Sequence, residues 1–563
     1  MSRAFSSSRF ASRLSVCAGT ALLLGACLDH PLKPVVYDKT TEDETTVAIA
    51  INKDVDILFV IDNSGSMAEE QALLSKNFAA FIGVLEADDV LANYRIGITT
   101  TDSGNPRCPA ATYKPEGGNL VLSSCLDRID QGEFSFNSVD FSTTCSDYCT
   151  KRDQDLMVRP TATAVDKTEA PRKWIERIEK TSNIAGVADN TEAFQCYGPQ
   201  GVAGCGFESH LESMYLALAA AQSKDSKNNY GFLREAAILS IVIISDEADC
   251  SYNPDPEIKK VFTTNKVFWN DPAVDTAPTS ALCWRAGVDC TGGPGTYTEC
   301  HAQDWDKDGK KTDDPTAAVL QPVSKYVDFV KKIEMAKQEI DGNQRVLISL
   351  INGVPIGYEK FDTEIPYEDL PADDDNQINF GIGPGCILGD PKMPEAIAVP
   401  AVREREFAEA FLDDPKKERN LYSICQQSYA GALESIATKI RDQIVPACMP
   451  SCVRDKDRTT EVLDPNCRLI ETDIDGNETD IVQCKEVNGE WTAGGGATVC
   501  FATLIDKNGK QTLSKIDNIS DYCNDEGFNL EFILVRSAPA AAGTTISANC
   551  ELSDNRTLDC PNL

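Results

Sequence analysis

Two aspartates and two serines of this chain have the types and positions to bind a metal ion. Asp62 ends the apolar run "DILFVID" (56–62), and Ser64 and Ser66 follow it in "DNSGSM". Asp246 ends a second apolar run, "AILSIVIISD". Carboxylates and hydroxyls without histidine or thiolate suit a hard cation such as Mg²⁺ or Mn²⁺. The four side chains therefore predict a divalent-metal site.

A parallel sheet would bring these residues together. Continuous apolar runs are typical of strands buried on both faces, and the apolar spacing after residue 73 predicts a helix. Strands and helices then alternate along the chain, with strands at 56–62, 94–102, 237–246 and 344–353 and helices near 74–85, 211–218 and 429–440. Such alternation predicts a mostly parallel sheet with helices on both faces. Ligands of these sheets bind beyond the carboxyl ends of the strands.

The motif "DNSGSM" resembles the D-x-S-x-S motif of the von Willebrand factor type A (VWA) domain, and "ISDEADCS" (244–251) resembles its later aspartate-bearing segment. The resemblance implies a doubly wound α/β sheet, Rossmann-like, over about residues 50–445 less the insertions. It also implies a metal-ion-dependent adhesion site (MIDAS) formed by Asp62, Ser64, Ser66 and Asp246. "GCGFE" and "GFLR" are similar to segments of bacterial surface lipoproteins that carry a VWA domain.

The chain departs from the VWA pattern at one ligand. The family usually supplies a threonine hydroxyl from a loop before a later helix, and here that loop reads "GCGFESHLESM" (204–214). Glu208 is the nearest match and Ser209 the alternative. If Glu208 binds the metal, three carboxylates surround one ion and the site disfavours the acidic ligands that VWA domains commonly accept. Alternatively, Glu208 faces solvent at the start of a helix, where an acid suits the helix dipole.

A second acidic loop, "DWDKDGKKTDDP" (304–315), is a candidate for Ca²⁺. Asp304, Asp306 and Asp308 match the first three ligand positions of an EF-hand loop, but Pro315 replaces its closing glutamate. A shortened loop closed by residue 313 or 314 and a solvated acidic loop both remain open. The segment "ETDIDGN" (471–477) matches the same calcium-loop pattern less well.

Composition and cysteine spacing disfavour a nucleic-acid partner and a zinc site and favour disulfides. The 563 residues carry a formal net charge of −35, which disfavours a nucleic-acid partner. Of the 22 cysteines, 20 fall in even groups of six, four, two and eight between residues 108 and 560. Zinc is disfavoured because no CxxC pair occurs and the histidines are only His30, His210 and His301. We therefore predict ten disulfides, formed mostly within the groups, as expected in an oxidising compartment.

The first residues predict export and anchoring. Three arginines precede an apolar run that ends in "LGAC" (24–27), which resembles a bacterial lipobox. The run is too short to span a membrane. We expect a signal peptide at 1–26, lipid on Cys27 and a tether to residue 46. Leu28, with Asp29 one residue later, predicts the outer membrane of a bacterial cell envelope by resemblance to lipoprotein sorting.

Two folded regions are predicted beyond the tether. Residues 47–447 form the VWA-like domain, with Cys-rich insertions at about 103–205 and 250–320, and residues 448–563 form a Cys-rich β domain with frequent turn signals. We expect a non-enzymatic protein that binds a protein or glycan ligand and reaches the membrane only through its lipid. The alternatives are a metal-stabilised envelope scaffold and an envelope hydrolase, for which three histidines offer little.

Overall fold

The computed structural model describes residues 44–48 and 53–560, apart from short gaps at 88–89, 110–111, 179–180, 340–343, 391–392, 413–414, 417, 445–446, 461, 473–476, 488, 508, 510 and 537–544. The chain from Thr45 to Leu563 forms one compact unit. None of the helices in this described part combines the length and the hydropathy of a membrane span. The predicted signal peptide, Cys27, Leu28 and most of the tether lie outside the described residues.

A seven-stranded mixed sheet, here called the central sheet, lies at the centre of the α/β region. Its strands are β1 (Asp54–Ile61), β2 (Asn93–Thr100), β3 (Trp174–Ile178), β4 (Thr181–Ser182), β5 (Ile238–Ile244), β6 (Val346–Asn352) and β7 (Leu421–Ser423). They are ordered β4-β3-β2-β1-β5-β6-β7. The five adjacent strands β2, β1, β5, β6 and β7 are parallel to one another. At one edge β3 pairs antiparallel with β2, and β4 pairs antiparallel with β3.

Helices cover both faces of the central sheet. They include α1 (Ala68–Leu85), α2 (His210–Ala221), α3 (Val323–Gln338), α4 (Val402–Glu409) and α5 (Ala430–Gln443). Successive side chains of a strand point to opposite faces. Ile57 and Phe59 therefore pack with α1 and α5, whereas Leu58 and Val60 pack with α2, α3 and α4. A mixed α/β fold is thus confirmed.

The segment at 103–205 is more than the predicted insertion, because it supplies β3 and β4 to the edge of the central sheet. Charged residues in "WIERI" hid this strand from the sequence pattern. Glu176 is buried because its carboxylate lies 2.5 Å from Arg95 of β2, and Arg177 pairs with Glu86 at 3.2 Å. The same segment also packs the ring of Phe194 against Phe78 of α1.

A second seven-stranded sheet, here called the C-terminal sheet, is built mostly from the last part of the chain. In order, its strands are Glu44–Ala48, Thr545–Glu551, Cys467–Thr472, Glu478–Gln483, Val499–Leu504, Glu531–Arg536 and Ala447–Cys448. Residues from 447 onward form core clusters of their own. The strand Glu44–Ala48 begins within the last residues of the predicted tether.

The remaining elements are short and lie in the loops. The helices are Cys125–Asp130, Thr143–Ser146, Asn190–Tyr197, Ala281–Gly287, Asp375–Phe380, Asp521–Asp525 and Arg556–Asp559, with 3₁₀ turns at Ile258–Phe262 and Tyr358–Lys360. The strand pairs are Ser135–Phe136 with Val139–Asp140, Met157–Val158 with Ile184–Ala185, Pro160–Thr161 with Ala170–Pro171, Val288–Gly292 with Tyr297–Ala302, Cys386–Asp390 with Met393–Ala398, and Lys485–Val487 with Glu490–Thr492.

Ten disulfides connect the cysteines, and each lies within one of the predicted groups. The pairs are Cys108–Cys205, Cys125–Cys145, Cys149–Cys196, Cys250–Cys283, Cys290–Cys300, Cys386–Cys425, Cys448–Cys523, Cys452–Cys560, Cys467–Cys550 and Cys484–Cys500. The predicted disulfide framework is therefore confirmed.

Candidate metal site

The D-x-S-x-S loop leaves the central sheet where the strand order reverses. β1 is paired with β2 on one side and with β5 on the other. The amide of Asp62 donates to Ile244 O at 3.0 Å, and the amide of Thr101 donates to Ile61 O at 3.2 Å. The loops after β1, β2 and β5 thus start side by side at one edge, which is where ligands bind in open α/β sheets.

Asp62 is held in a fixed orientation within this edge. It is fully buried, and its Oδ1 accepts a 2.7 Å hydrogen bond from the Ser64 amide. The hydroxyl of Ser245, which directly follows β5, donates to Oδ2 at 2.5 Å. These bonds position the carboxylate, and they connect the first predicted ligand to the strand that carries Asp246.

Ser64 and Ser66 face each other across Gly65. Their hydroxyl oxygens lie 3.2 Å apart, with Ser64 buried and Ser66 exposed. Ser66 is not the N-cap of the following helix, since α1 is capped at Met67 without a side-chain hydrogen bond. The tight loop therefore brings the two hydroxyls close together.

The loop that contains Glu208 is bonded to all three neighbouring loops. The amide of Gly204 donates to Asn63 O at 2.8 Å, Ser209 N to Thr101 O at 2.9 Å, and Cys250 N to Glu208 O at 2.6 Å. A Cβ built on Gly204 would lie 2.3 Å from Asn63 Oδ1, so only glycine allows this approach. The loop is therefore fixed over the edge from which Asp62 emerges.

Glu208 is wholly buried, so the solvent-facing alternative for this residue is wrong. Its Oε2 accepts a short hydrogen bond from the Thr101 hydroxyl, and its Oε1 has no hydrogen-bond partner among the described residues. The Ser209 hydroxyl, in contrast, already has a hydrogen-bond partner, because it donates to Cys250 O at 3.1 Å. Of the two candidates for the missing threonine, Glu208 is the one with a buried side-chain oxygen that has no hydrogen-bond partner among the described residues.

Asp246, like Glu208, has a buried carboxylate oxygen without a hydrogen-bond partner among the described residues. Only 6% of its surface is exposed, and within the described structure its buried Oδ1 finds no hydrogen-bond donor. Burial first, then the charges of Asp62 and Glu70, raises the pKa of Asp246 well above its usual value, and a hydrogen bond from the Ser66 hydroxyl acts to lower it. Asp62, Ser66 and Asp246 therefore lie close enough to influence one another.

Sequence reasoning missed three further carboxyls that surround this cluster. Asp102, Glu247 and Glu70 are all buried, and the charge of Asp62 acts on each of them. Two of them carried a signal. Asp102 ends the strand-like run "YRIGITTTD", and Glu247 directly follows Asp246. Glu70 lies within α1 and carried none.

Burial and mutual repulsion disfavour the charged forms of these groups. Burial first, then the charges of Asp62, Glu247 and Asp102, raises the pKa of Glu208 well above its usual value. Burial and neighbouring acids likewise raise the pKa of Glu247, and that of Glu70 to about 7. Without a cation, the folded protein therefore holds several carboxyls in an unfavourable environment.

Burial raises the pKa of Asp62, and among the neighbouring side chains His210 acts most strongly to lower it. His210 begins α2, is fully buried, and its Nδ1 lies 3.0 Å from Glu404 Oε1. Burial alone would lower the pKa of His210, but the Glu404 and Asp249 carboxylates raise it. Arg403 completes this group by donating to Asp249 Oδ2 at 3.0 Å.

No three carboxylates of the described residues approach within 4.8 Å of one another. The one cluster of three metal-ligand side chains at that spacing is Cys125, Cys145 and Cys149, whose sulfurs are in disulfides. Metal binding at the D-x-S-x-S loop would therefore use hydroxyls and water as well as carboxylates, which agrees with the habit of Mg²⁺ to keep several waters.

The second acidic loop does not bring Asp304, Asp306 and Asp308 together at that spacing. The Asp306 carboxylate instead accepts the amides of Asp308 and Lys310, each at 2.9 Å, and so closes a tight turn. Asp308 is exposed beside Lys307. A turn-forming role explains this loop, and a Ca²⁺ role gains no support from its geometry.

Comparison with known proteins gives only a distant structural likeness. No protein-family description matches the sequence, and no curated protein matches it. Two crystal structures of the pilus adhesin SpaC from Lactobacillus rhamnosus GG are similar over 90% of this chain, with TM-scores of 0.27 and 0.26 and identities of 9% and 10%. This chain spans about 40% of the length of that adhesin. At such TM-scores the likeness assigns neither a fold family nor a function.

Proposed function

We propose that this protein is a non-enzymatic surface lipoprotein whose VWA-like domain binds Mg²⁺ or Mn²⁺ and, through the metal, a protein or glycan ligand. The observation that carries the proposal is the pair of buried oxygens without hydrogen-bond partners in the described residues, Asp246 Oδ1 and Glu208 Oε1, beside the D-x-S-x-S loop. Unpaired buried carboxylates are costly, and a divalent cation offsets that cost.

The fold agrees with the proposed doubly wound, MIDAS-like arrangement. Helices pack on both faces of the central sheet, and Asp62 and Asp246 follow the neighbouring strands β1 and β5. Ser64, Ser66 and the carboxylates of Asp62, Asp246 and Glu208 would hold the ion directly or through bridging water, because the three carboxylates do not lie close enough together for all of them to bind it directly. When bound, the metal supplies an open coordination position for an oxygen atom of the ligand.

Two observations favour ligand binding over the alternatives. Ser66 is an exposed residue, so the proposed site lies at the surface, as a purely structural metal site would not require. Against a hydrolase, His210 is fully buried against Glu404, and exposed His301 lies between Glu299 and Glu406 at 2.9 and 3.0 Å. A metal-stabilised scaffold remains the second candidate.

Calorimetry on the chelator-treated chain from residue 28 tests the metal site. We expect Mn²⁺ and Mg²⁺ to bind, and Asp62→Asn or Asp246→Asn to weaken binding at least about tenfold, as loss of metal-supporting groups commonly does. Asp225→Asn, at an exposed position on a loop after α2, is the matched control. Unchanged affinity in both site variants would overturn the proposal. Capture of envelope partners with and without EDTA then separates ligand binding from a scaffold.

Anchoring at the bacterial outer membrane is part of the proposal, although Cys27 lies outside the described residues. The lipobox-like "LGAC" supports it. A Cys27→Ser variant should leave the detergent phase for the aqueous phase, and retention in the detergent phase would contradict lipid attachment.

A further inference from the structure

The side chain of Gln71 in α1 connects the D-x-S-x-S loop to the segment at 103–205. Gln71 is only 1% exposed. Its Nε2 donates to Asp62 O and to Gly201 O, each at 2.8 Å. Its Oε1 accepts the amide of Gln200 at 2.7 Å and the amide of Gly201 at 3.2 Å. The whole side-chain amide is therefore used to join the end of β1 to a turn that lies 130 residues later in the chain.

The helix that carries Gln71 explains how its side chain reaches the loop. α1 begins at Ala68, directly after the D-x-S-x-S motif, so Gln71 lies in the first turn. The backbone amide of Gln71 donates to Met67 O at 3.0 Å, which fixes its main chain. Side chains of a helix point back toward its N-terminus. The Gln71 amide group therefore extends back over the loop to the carbonyl of Asp62.

Two consecutive carbonyl groups of the loop are held from outside it. Gln71 binds Asp62 O. The amide of Gly204 donates to Asn63 O at 2.8 Å. The next amide, that of Ser64, donates to Asp62 Oδ1. Because each peptide unit is planar, these two units cannot rotate without breaking one of the three bonds. The orientation of the Asp62 carboxylate thus depends on groups outside the loop.

The partners of Gln71 in the segment at 103–205 are themselves fixed. Gly201 has a φ of +95°, and a Cβ at this position would lie 2.6 Å from Glu133 O, so only glycine fits. The side chain of Gln200 is buried, and its Oε1 accepts a 2.9 Å hydrogen bond from Arg128. Gln71 therefore ties the D-x-S-x-S loop to a backbone that its own contacts already hold in place.

We propose that Gln71 is a positioning residue of the metal site, which holds Asp62 in the orientation that binds the ion and makes that orientation depend on the segment at 103–205. Gln71 does not touch the ion and acts through Asp62. Removal of groups that orient metal ligands commonly weakens metal binding by about ten- to a hundredfold. This inference rests on the proposed metal-dependent function and names a residue that supports its first ligand.

The test compares Gln71→Met with Gln344→Met in the chelator-treated chain from residue 28. Gln344 is 4% exposed and donates to Ala236 O at 3.0 Å, but it precedes β6 and so lies at the opposite end of the central sheet. Both variants should lower the Tm in EDTA, because each removes a hydrogen bond made by a buried side chain. We expect Mn²⁺ calorimetry to show about tenfold weaker binding in Gln71→Met and an affinity within about twofold of the wild type in Gln344→Met.

The outcomes separate a positioning role from a structural one. A merely structural Gln71 would change the Tm and leave the Mn²⁺ affinity of the folded protein unchanged, and that result, or equal weakening in both variants, would overturn this inference alone. Absence of Mn²⁺ binding by the wild type would overturn the proposed function itself. If Gln71→Met does not fold, Gln71→Asn keeps the amide on a side chain that is one carbon shorter. Compared with Gln344→Asn, it should again be the variant that loses Mn²⁺ affinity, and equal affinities would overturn the inference.

Discussion

Glu208 determines the charge of the proposed site. Its carboxyl is fully buried, accepts a hydrogen bond from Thr101 and faces the charges of Asp62 and Glu247. The sequence pattern identified the position but left its orientation open, because a glutamate at a helix start commonly faces solvent. Burial by the three surrounding loops decides this question, and those contacts depend on tertiary structure.

Glu208→Gln should stabilise the metal-free protein at neutral pH and weaken the metal site. The raised pKa of Glu208 means that its stabilising contribution is complete below the unfolded value of about 4.5 and is lost as the pH rises through the folded value. Glutamine keeps an acceptor for Thr101 without a charge. A gain of about 1 kcal/mol would raise the Tm by roughly 2–4 °C.

Thermal unfolding with EDTA between about pH 5 and pH 8, followed by Mn²⁺ calorimetry, measures both effects. We expect a flatter dependence of Tm on pH and an affinity about tenfold lower. The exposed Glu169→Gln is the control. A variant with wild-type Mn²⁺ affinity would show that Glu208 is only a structural residue.

At the scale of elements, continuous apolar runs were the reliable signal. β1, β5 and β6 were predicted because each is apolar over most of its length, and α1 because its buried residues follow helical spacing. β3 was missed because its polar residues are buried through ion pairs with Arg95 and Glu86. A local sequence pattern predicts that such residues are exposed, because it does not show the distant ion-pair partners that allow them to be buried.

The loop at 204–209 should depend on the Cys108–Cys205 disulfide. That bond closes 97 residues, for which the chain-entropy model predicts about 4–5 kcal/mol of stabilisation. Cys205 also lies inside this loop, between Gly204, whose amide donates to Asn63 O, and Ser209, whose amide donates to Thr101 O. We expect the double variant Cys108→Ser, Cys205→Ser to weaken Mn²⁺ binding, because the metal must then order the loop.

The matched control is Cys484→Ser with Cys500→Ser, which removes a bond in the C-terminal region that closes 16 residues and contributes about 3 kcal/mol in the same model. Calorimetry at a temperature where both variants are folded gives the comparison. Equal Mn²⁺ affinities in the two variants would contradict a link between the first disulfide and the site.

Across the whole molecule, the sequence predicted the division into an α/β part and a Cys-rich β part from its change of turn signals and cysteine spacing near residue 448. It did not predict that residues 44–48 form a strand of the C-terminal sheet. A five-residue edge strand is defined by its pairing partner, and that partner lies some 500 residues later in the chain, at Thr545–Glu551. No local pattern contains this information.

The proposed metal site should not depend on the C-terminal sheet. The core clusters of that sheet contain only residues from 447 onward, and its four disulfides join cysteines between 448 and 560. The site is built instead from loops of the central sheet. Because distant groups without shared partners act almost independently, we expect a chain of residues 49–446 to bind Mn²⁺ within about twofold of the longer protein. Circular dichroism must first establish that this shorter chain is folded. A folded chain that had lost Mn²⁺ binding in calorimetry would show that the C-terminal sheet supports the site, and the two parts would then act as one functional unit.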